Sequence, residues 1–448
     1  MARTELRHAT GYANRLLLDL GATQSVSAHA EEHPALRWAQ CGAMSLTGYP
    51  DEAPQMCPIP LACYADGIVA ALGALRPGSR VSELDGAQLL GERAACANLR
   101  RAGDVAAGGS CRLLRVADDW IALNLARGSD WELLPAWLEA GPIGDWTGVA
   151  AALVKRTLGE CLARARELGL PVAPLGHRPS NSPIAWCRQS ARGDGVRSAR
   201  AAEPLVIDLS SLWAGPLCAH LMQLMGARVI KVESCQRPDG LRQTGDGFYD
   251  LLNAGKASVA LDFNQAAERS HLRSLLRHAD IVIEASRPRA LRQLGIVAEQ
   301  ILRENPGLTW ISISGYGRLE PAANWVAFGD DGAVAGGLSQ VLWDCTGRPM
   351  FCADAIADPL TGLHAALAAW TAFAQGGGRI LSLALCDVVA HCVQFAGLGD
   401  AAAAQARARS WQRCVSANDI APPHARARNR SASALGADTP EILAGLAH

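Results

Sequence analysis

The stretch PLVIDLSSLWAGPLCAHLMQLMGARVIKVES, residues 204 to 234, decides the fold. Its first apolar run, LVID, ends in polar residues and an Ala-Gly-Pro break, and the apolar spacing of CAHLMQLMG that follows is helical. A second run, ARVIKVE, closes a strand, helix, strand unit of about thirty residues, the length at which a crossover joins parallel strands. Further strands are expected at SVALDF (258 to 263), ADIVIEA (279 to 285) and TWISISG (309 to 315). Between them, AAERSHLRSLLRHAD and AEQILRENP carry helical spacing. The pattern predicts an α/β domain with a Rossmann-like parallel sheet.

Working outward, WCRQSARGDGVRSARAAE (186 to 203) is polar, Arg-rich and punctuated by Gly, and reads as a linker. Before it, CRLLRVADDWIALN (111 to 124) reads as two short strands around a turn, and TLGECLARARELGLPVAPL (157 to 175) as a helix and a strand. Together they predict a smaller α+β domain. The expected organisation is a first segment at 1–95, the small domain at 96–185, the linker at 186–203, the Rossmann-like domain at 204–400 and a C-terminal helix and tail at 401–448.

An internal repeat runs through this organisation. ANRLLLDLGA (13 to 22) overlays CAHLMQLMGA (218 to 227), and CGAMSLTG with YADGIVAALGAL (41 to 75) parallels DGAVAGGLS with IADPLTGLHAALAAW (331 to 370). The first segment then reads as a reduced first copy of the second. Helices rich in Ala, Leu and Gly also resemble one another by composition alone.

The 42 basic and 43 acidic residues leave a net charge of -1, no field to hold a nucleic-acid backbone. The N-terminus lacks a signal pattern and no run of eighteen apolar residues occurs, so a cytoplasmic protein without a membrane segment is expected. The 14 cysteines form no C-x-x-C pair and read as reduced, small apolar residues.

The segment from Pro204 resembles the family III (CaiB/BaiF) CoA-transferases through five ordered motifs. These are VIDLSSLWAGPLCAHLMQLMGARVIKVES, LLNAGKASVALDF (251 to 263), ADIVIEASRPRALRQLGI (279 to 296), NPGLTWISISGYGRLEP (305 to 321) and FCADAIADPLTGLHAALAAW (351 to 370). Residues 111 to 175 resemble the family's small domain, and LGADTPEILAGL (435 to 446) its C-terminal helix. The resemblance implies transfer of CoA from an acyl-CoA to a free carboxylic acid through an aspartyl-CoA thioester, with acyl-CoA as substrate and no permanently bound cofactor or metal. It also implies an active site between a large and a small domain. One fused chain then forms a monomeric pseudo-dimer, or associates further as a homodimer.

The resemblance places the nucleophile at Asp358, four residues before Gly362, with Pro359 in the first helical turn; an N-cap there would favour the anion. Asp354 is a nearby rival, and read alone Asp358 is also an ordinary helix cap. Asp66 is taken as its counterpart in the first copy, a structural relic. For CoA the matching positions are Ala214, Gly215 and Pro216 at a helix start, Lys231, Asn253, Lys256, Arg287, Gly315 and Tyr316, with Arg242 a further cation for phosphate. Two positions depart from the family: Asn-Arg-x-Lys reads Asn253-Ala254-Gly255-Lys256, and Asn-Phe before Arg-Pro reads Ala285-Ser286. These departures keep a non-catalytic CoA-binding homologue open. Gly108 and Gly109 read as a turn or as a remnant of a glycine loop over the thioester. The related racemases or isomerases add a His before another Asp, where this chain has Gly329 before Asp330. His220 and His364 read as packed or exposed helix residues.

Overall fold

The computed structural model describes residues 8–28, 30–176, 182–193 and 203–445. Among the described residues ten strands form two sheets. Cys111–Arg115 (β1), Trp120–Asn124 (β2) and Val172–Pro174 (β3) make a small antiparallel sheet in the order β1-β2-β3. The large sheet contains Arg188–Arg192 (β4), Leu205–Asp208 (β5), Arg228–Ser234 (β6), Ala257–Leu261 (β7), Ile281–Glu284 (β8), Thr309–Ser314 (β9) and Arg379–Ala384 (β10). Its order is β4-β10-β9-β8-β5-β6-β7, parallel throughout except for β4.

This is the doubly wound α/β arrangement that the alternating apolar runs predict. Because both faces are covered, each strand divides its apolar residues between two cores. Ile281 and Ile283 of β8 face a core shared with the helices Ala214–Leu224 and Ala357–Ala374, whereas Val282 packs with the helices Ala266–His278 and Ala298–Glu304. The chain reverses direction across the sheet at β5, whose neighbours are β6 and β8. The crevice beyond the carboxyl ends of β5 and β8 is the switch point at which such sheets hold ligands.

Two features correct the sequence expectation. Within the supposed linker 186–203, Arg188–Arg192 forms β4, antiparallel to β10 with a register shift between Ile380 and Leu381; residues 194–202 lie outside the described residues. Its RQSAR sequence carries no apolar signal because an edge strand has one side and one edge open to water. At the opposite edge the C-terminal segment covers β7. Ser258 N donates to Asp438 Oδ2 at 2.7 Å, Asp438 N to Ser258 O at 3.0 Å, and Ala260 N to Thr439 Oγ1 at 3.0 Å.

The first segment is helical and shares the core of the large sheet. Its helices His8–Asp19 and Leu61–Leu75 pack along each other, as Ala214–Leu224 packs along Ala357–Ala374, and Leu61–Leu75 also touches Ala357–Ala374. The two pairs meet in the same way. A Cβ on Gly67 would strike the carbonyl oxygen of Ala9, and one on Gly362 would lie 2.7 Å from that of Ala214. Setting Gly67 on Gly362 moves the correspondence by three residues. Cys63, not Asp66, stands four residues before the glycine, where Asp358 stands in the second pair. Asp66 is engaged elsewhere, accepting from Arg37 Nε at 2.7 Å and Ala87 N at 2.9 Å. Among the described residues no helix is long and apolar enough to cross a membrane.

Candidate active site

Asp358 is the second residue of the helix Ala357–Ala374, not its N-cap, and its own N–H donates to Ala355 O at 2.9 Å. Around it gather Asp330 and Asp331, from the first turn of the helix Gly329–Ala335, and Asp354. Asp354 is fully buried and accepts from Arg93 Nε at 2.9 Å, with a second bond from Arg93 Nη2 to its other oxygen. Asp330 Oδ1 accepts from Ala355 N at 2.9 Å. The backbone between these groups is unusual, since Ala353 and Ala355, on either side of Asp354, have φ of 54° and 41°. Left-handed alanines are costly, and they persist where surrounding contacts fix the chain.

Burial, more than any other influence, raises the Asp358 carboxyl to about 7; the Arg93 guanidinium opposes it, and Asp330, Asp331 and Asp354 add to it. This corrects the expectation of a cap that favours the anion: withdrawal from water and neighbouring carboxylates outweigh the helix start. Asp331 is likewise raised to about 7, chiefly by burial. It accepts from Asn124 Nδ2 at 2.9 Å and from Phe328 N at 3.0 Å. The result is a carboxyl group with appreciable anion near neutral pH and higher basicity than a solvated aspartate. Both properties suit a nucleophile.

Three parts of the chain build this site. Arg93 comes from the first segment, in the helix Glu92–Cys96, and its guanidinium lies 5.8 Å from the Trp213 ring. Asn124 comes from β2 of the small sheet, whose Cys111, Leu113, Ala122 and Ala173 pack with Val334 and Ala335 of the Gly329–Ala335 helix. The rest belongs to the large domain. Gly109 N bonds Ala106 O at 2.8 Å, a turn, and a Cβ on Gly108 would lie 3.1 Å from Arg93 Nη2.

A cavity of about 480 Å³ opens at the switch point, lined by Ser211, Arg237, Ala285, Ser286, Arg287, Ser314 and Gly315 at strand ends, and by Arg127 and Phe328. Phe328 is the residue before Gly329, and a Cβ on Gly329 would lie 2.6 Å from Asp358 Oδ2. Phe328 of the cavity wall is thus followed in sequence by the glycine packed against Asp358. Arg127 is anchored by Asp130 at 2.6 Å and donates to Gly169 O at 3.1 Å. Arg237 and Arg287 have no hydrogen-bonding or ion-pairing side-chain partner among the described residues. Burial, then the charges of Arg289, Arg127 and Arg237, lowers the pKa of Arg287. Arg237 and Arg287, with Arg127 matched by Asp130 beside them, give this cavity a basic lining that suits an anion.

Of the residues expected to hold CoA, Arg287 and Gly315 line this cavity. Tyr316 is beside it, T-stacked on Trp325 at 5.5 Å, with its hydroxyl 3.4 Å from Val172 O of β3. The lysines are placed differently. Lys231 is buried, 3.1 Å from Asp239 and donating to Ser210 O at 2.8 Å. Lys256 donates to Asp208 Oδ2 and Asn253 Oδ1, both at 2.9 Å, and to Pro216 O at 3.0 Å. Arg242 is held by Glu233. These cations answer carboxylates inside the protein, and Asn253 serves Lys256, so none of the four reaches the cavity. Ala214, Gly215 and Pro216 are buried in the first turn of their helix. His220 and His364 lie outside the site; His364 Nε2 is 2.7 Å from the Tyr12 hydroxyl. Arg93, Arg127 and Arg237 escaped the sequence reading, for nothing in GERAAC, LARGSD or SCQRPDG marks one arginine above its neighbours.

Residues 202–447 match the model of CoA-transferase family III. Among curated proteins the chain is 30% identical over 209 residues to succinyl-CoA–D-citramalate CoA-transferase of Chloroflexus aurantiacus, covering 43% of this chain and 52% of that protein. It is 32% identical over 202 residues to succinate–glutarate CoA-transferase of Agrobacterium fabrum, covering 41% and 50%. The chain thus spans about half the length of the curated relatives it matches. The crystal structure of a CaiB/BaiF family protein from Brucella suis aligns at 27% identity over 44% of this chain and 57% of that one, with a TM-score of 0.39.

Proposed function

The chain belongs to CoA-transferase family III, and on that premise we propose that it moves CoA from an acyl-CoA thioester to a free carboxylic acid, with Asp358 as the nucleophile. The observation that carries the reading is the close packing of Gly329 on Asp358, one residue along the chain from Phe328 in the wall of an arginine-lined cavity. CoA is a substrate here: its phosphates meet Arg127, Arg237 and Arg287, and its pantetheine arm runs past Phe328 toward the carboxylate. Asp358 attacks the acyl carbonyl and expels CoA thiolate, forming a mixed anhydride. The thiolate attacks the aspartyl carbonyl, releasing the donor acid and leaving an aspartyl-CoA thioester. The acceptor carboxylate attacks that thioester to give a second anhydride and thiolate. Attack of the thiolate on the acceptor's carbonyl yields the new acyl-CoA and restores Asp358.

The reading extends to architecture. The first segment and the small domain serve as the partner body for the large domain, so one chain forms a pseudo-dimer with one site. The contribution of Arg93 and Asn124 supports this, as do the matching Gly67 and Gly362 contacts. Racemisation lacks a second acid/base at Gly329, and a His side chain has no room there.

The test is to incubate the protein with succinyl-CoA and a panel of acids, beginning with glutarate, citramalate and oxalate, and to trap the thioester with hydroxylamine. Transfer with an adduct on Asp358, both lost in Asp358→Ala, supports the proposal. Full transfer by Asp358→Ala overturns it, and saturable CoA binding without turnover on any acid identifies a binding homologue.

A further inference from the structure

A second basic cavity, of about 330 Å³, lies at the C-terminal half of the helix Ala214–Leu224, and shares no lining residue with the switch-point cavity. We propose that it binds a small phosphate ester through Arg80, Arg428 and Arg430, against a fixed wall of Arg426 and His220.

The arginines come from two distant parts of the chain. Arg80 begins the short 3-10 helix Arg80–Glu83, and Arg426, Arg428 and Arg430 alternate along the segment that carries the chain to β7. Only Arg426 is fully matched, by Glu92 Oε1 at 2.6 Å and Oε2 at 2.9 Å. It also lies 2.9 Å from His220 Nε2. Since a guanidinium only donates, that nitrogen accepts and the imidazole is neutral. Arg428 comes no closer than 3.9 Å to Asp250. Arg80 and Arg430 have no hydrogen-bonding or ion-pairing side-chain partner among the described residues.

The guanidinium groups of Arg428 and Arg430 are nonetheless seated. A Cβ on Gly247 would strike the first and one on Gly255 the second, and both glycines have positive φ, at 82° and 86°. The cations lie against bare backbone that is shaped to receive them. Burial, then the charges of Arg426, Lys256 and Arg80, holds His220 well below its ordinary pKa, in keeping with a positive potential. Four guanidinium groups gather here beside the carboxylates of Glu83, Glu92 and Asp250, and the excess of positive charge favours an anion that joins them. Their planar forks fit the oxygens of a phosphate two at a time. Glu83 and Asp250 also line the cavity. They repel an extended polyanion and accept hydroxyl groups, so a small phosphate ester fits and a nucleic acid does not.

This inference does not depend on the transfer reaction. Isothermal titration of the full chain with inorganic pyrophosphate, in dilute chloride buffer, tests it. We expect saturable binding that persists in Arg287→Gln, which weakens the other basic cavity, and that falls at least tenfold in Arg80→Gln/Arg430→Gln. Both replaced residues are exposed, so the double variant should keep its thermal transition; if that shifts, Arg430→Gln alone is decisive. No saturable binding by the parent chain, or undiminished binding by the decisive variant, overturns the proposal.

Discussion

The α-carbon of Gly329 and the carboxylate of Asp358 are so close that a methyl group on the glycine would lie 2.6 Å from Oδ2. It would also strike Ala355 O. Glycine is thus required by space as much as by chemistry. Gly329→Ala should lower the transfer rate at least tenfold by pushing Asp358 off its line, and Gly329→His at least a hundredfold. Neither should acquire exchange of an α-proton. Transfer rates and deuterium wash-in at the α-carbon, read on the same samples, check both halves.

The raised pKa of Asp358 sets a pH dependence. In the proposed role the attacking group is the anion, so kcat/KM should climb as pH rises through about 7, and Arg93→Met should move that limb upward by removing a cation that opposes the shift. Stability runs the other way. Between the unfolded value near 4 and the folded value of about 7 the folded chain holds the extra proton, so the group's contribution is present at low pH and lost as pH rises. At pH 8 Asp358→Asn should therefore unfold at a higher temperature than the parent, by a difference that shrinks toward pH 5. Scanning calorimetry across that range gives the answer.

The partly buried Arg93 and the fully buried Asp354 form an ion pair that joins the first segment to the surroundings of Asp358. Removing one partner leaves an uncompensated buried charge, at a cost of about 3 kcal/mol. Arg93→Met should lose about that much in urea unfolding, and Arg93→Met/Asp354→Leu should recover part of it. Additive losses in the double variant would show that the two residues are not coupled.

The two classes of cation should respond differently to mutation. On the proposed reading Arg287→Gln removes a phosphate contact made alike in ground and transition states, so KM for acyl-CoA should rise about tenfold with kcat little changed. Lys256→Met strands Asp208 inside the protein and should cost about 3 kcal/mol of stability. The enzyme that remains folded should keep its KM. Steady-state kinetics beside urea titrations separate the outcomes.

This contrast shows where the sequence was legible. The apolar runs at 205, 228, 258, 281 and 309 announce their strands because β5 to β9 are buried on both faces, and a core leaves a continuous apolar trace. β4 leaves none, being an edge, and RILSLA, which forms β10, was passed over although it reads as apolar as the others. In the site, the motifs around Asp358 and Arg287 single them out, and the structure sets Arg287 in a cavity wall and Asp358 against Gly329. Whether a lysine serves a ligand or an internal carboxylate is fixed by partners such as Asp208 for Lys256 and Asp239 for Lys231, 48 and 8 residues away, and spacing does not encode that choice. Arg93 is 261 residues from Asp354. Only the folded chain brings them together.

The large sheet has few strand edges left open to neighbours, and both guards come from outside residues 204–400. One is β4, short, polar and bearing an arginine at each end; the other is the C-terminal segment bonded along β7 through Asp438 and Thr439. A fragment trimmed to the Rossmann-like sequence would lose the two together. Its outermost strands would then be β10 and β7, apolar and ready to template another copy. Anyone expressing this protein in pieces should expect inclusion bodies from that cut, and should keep Arg188 and Thr439 inside any truncated version meant to stay in solution.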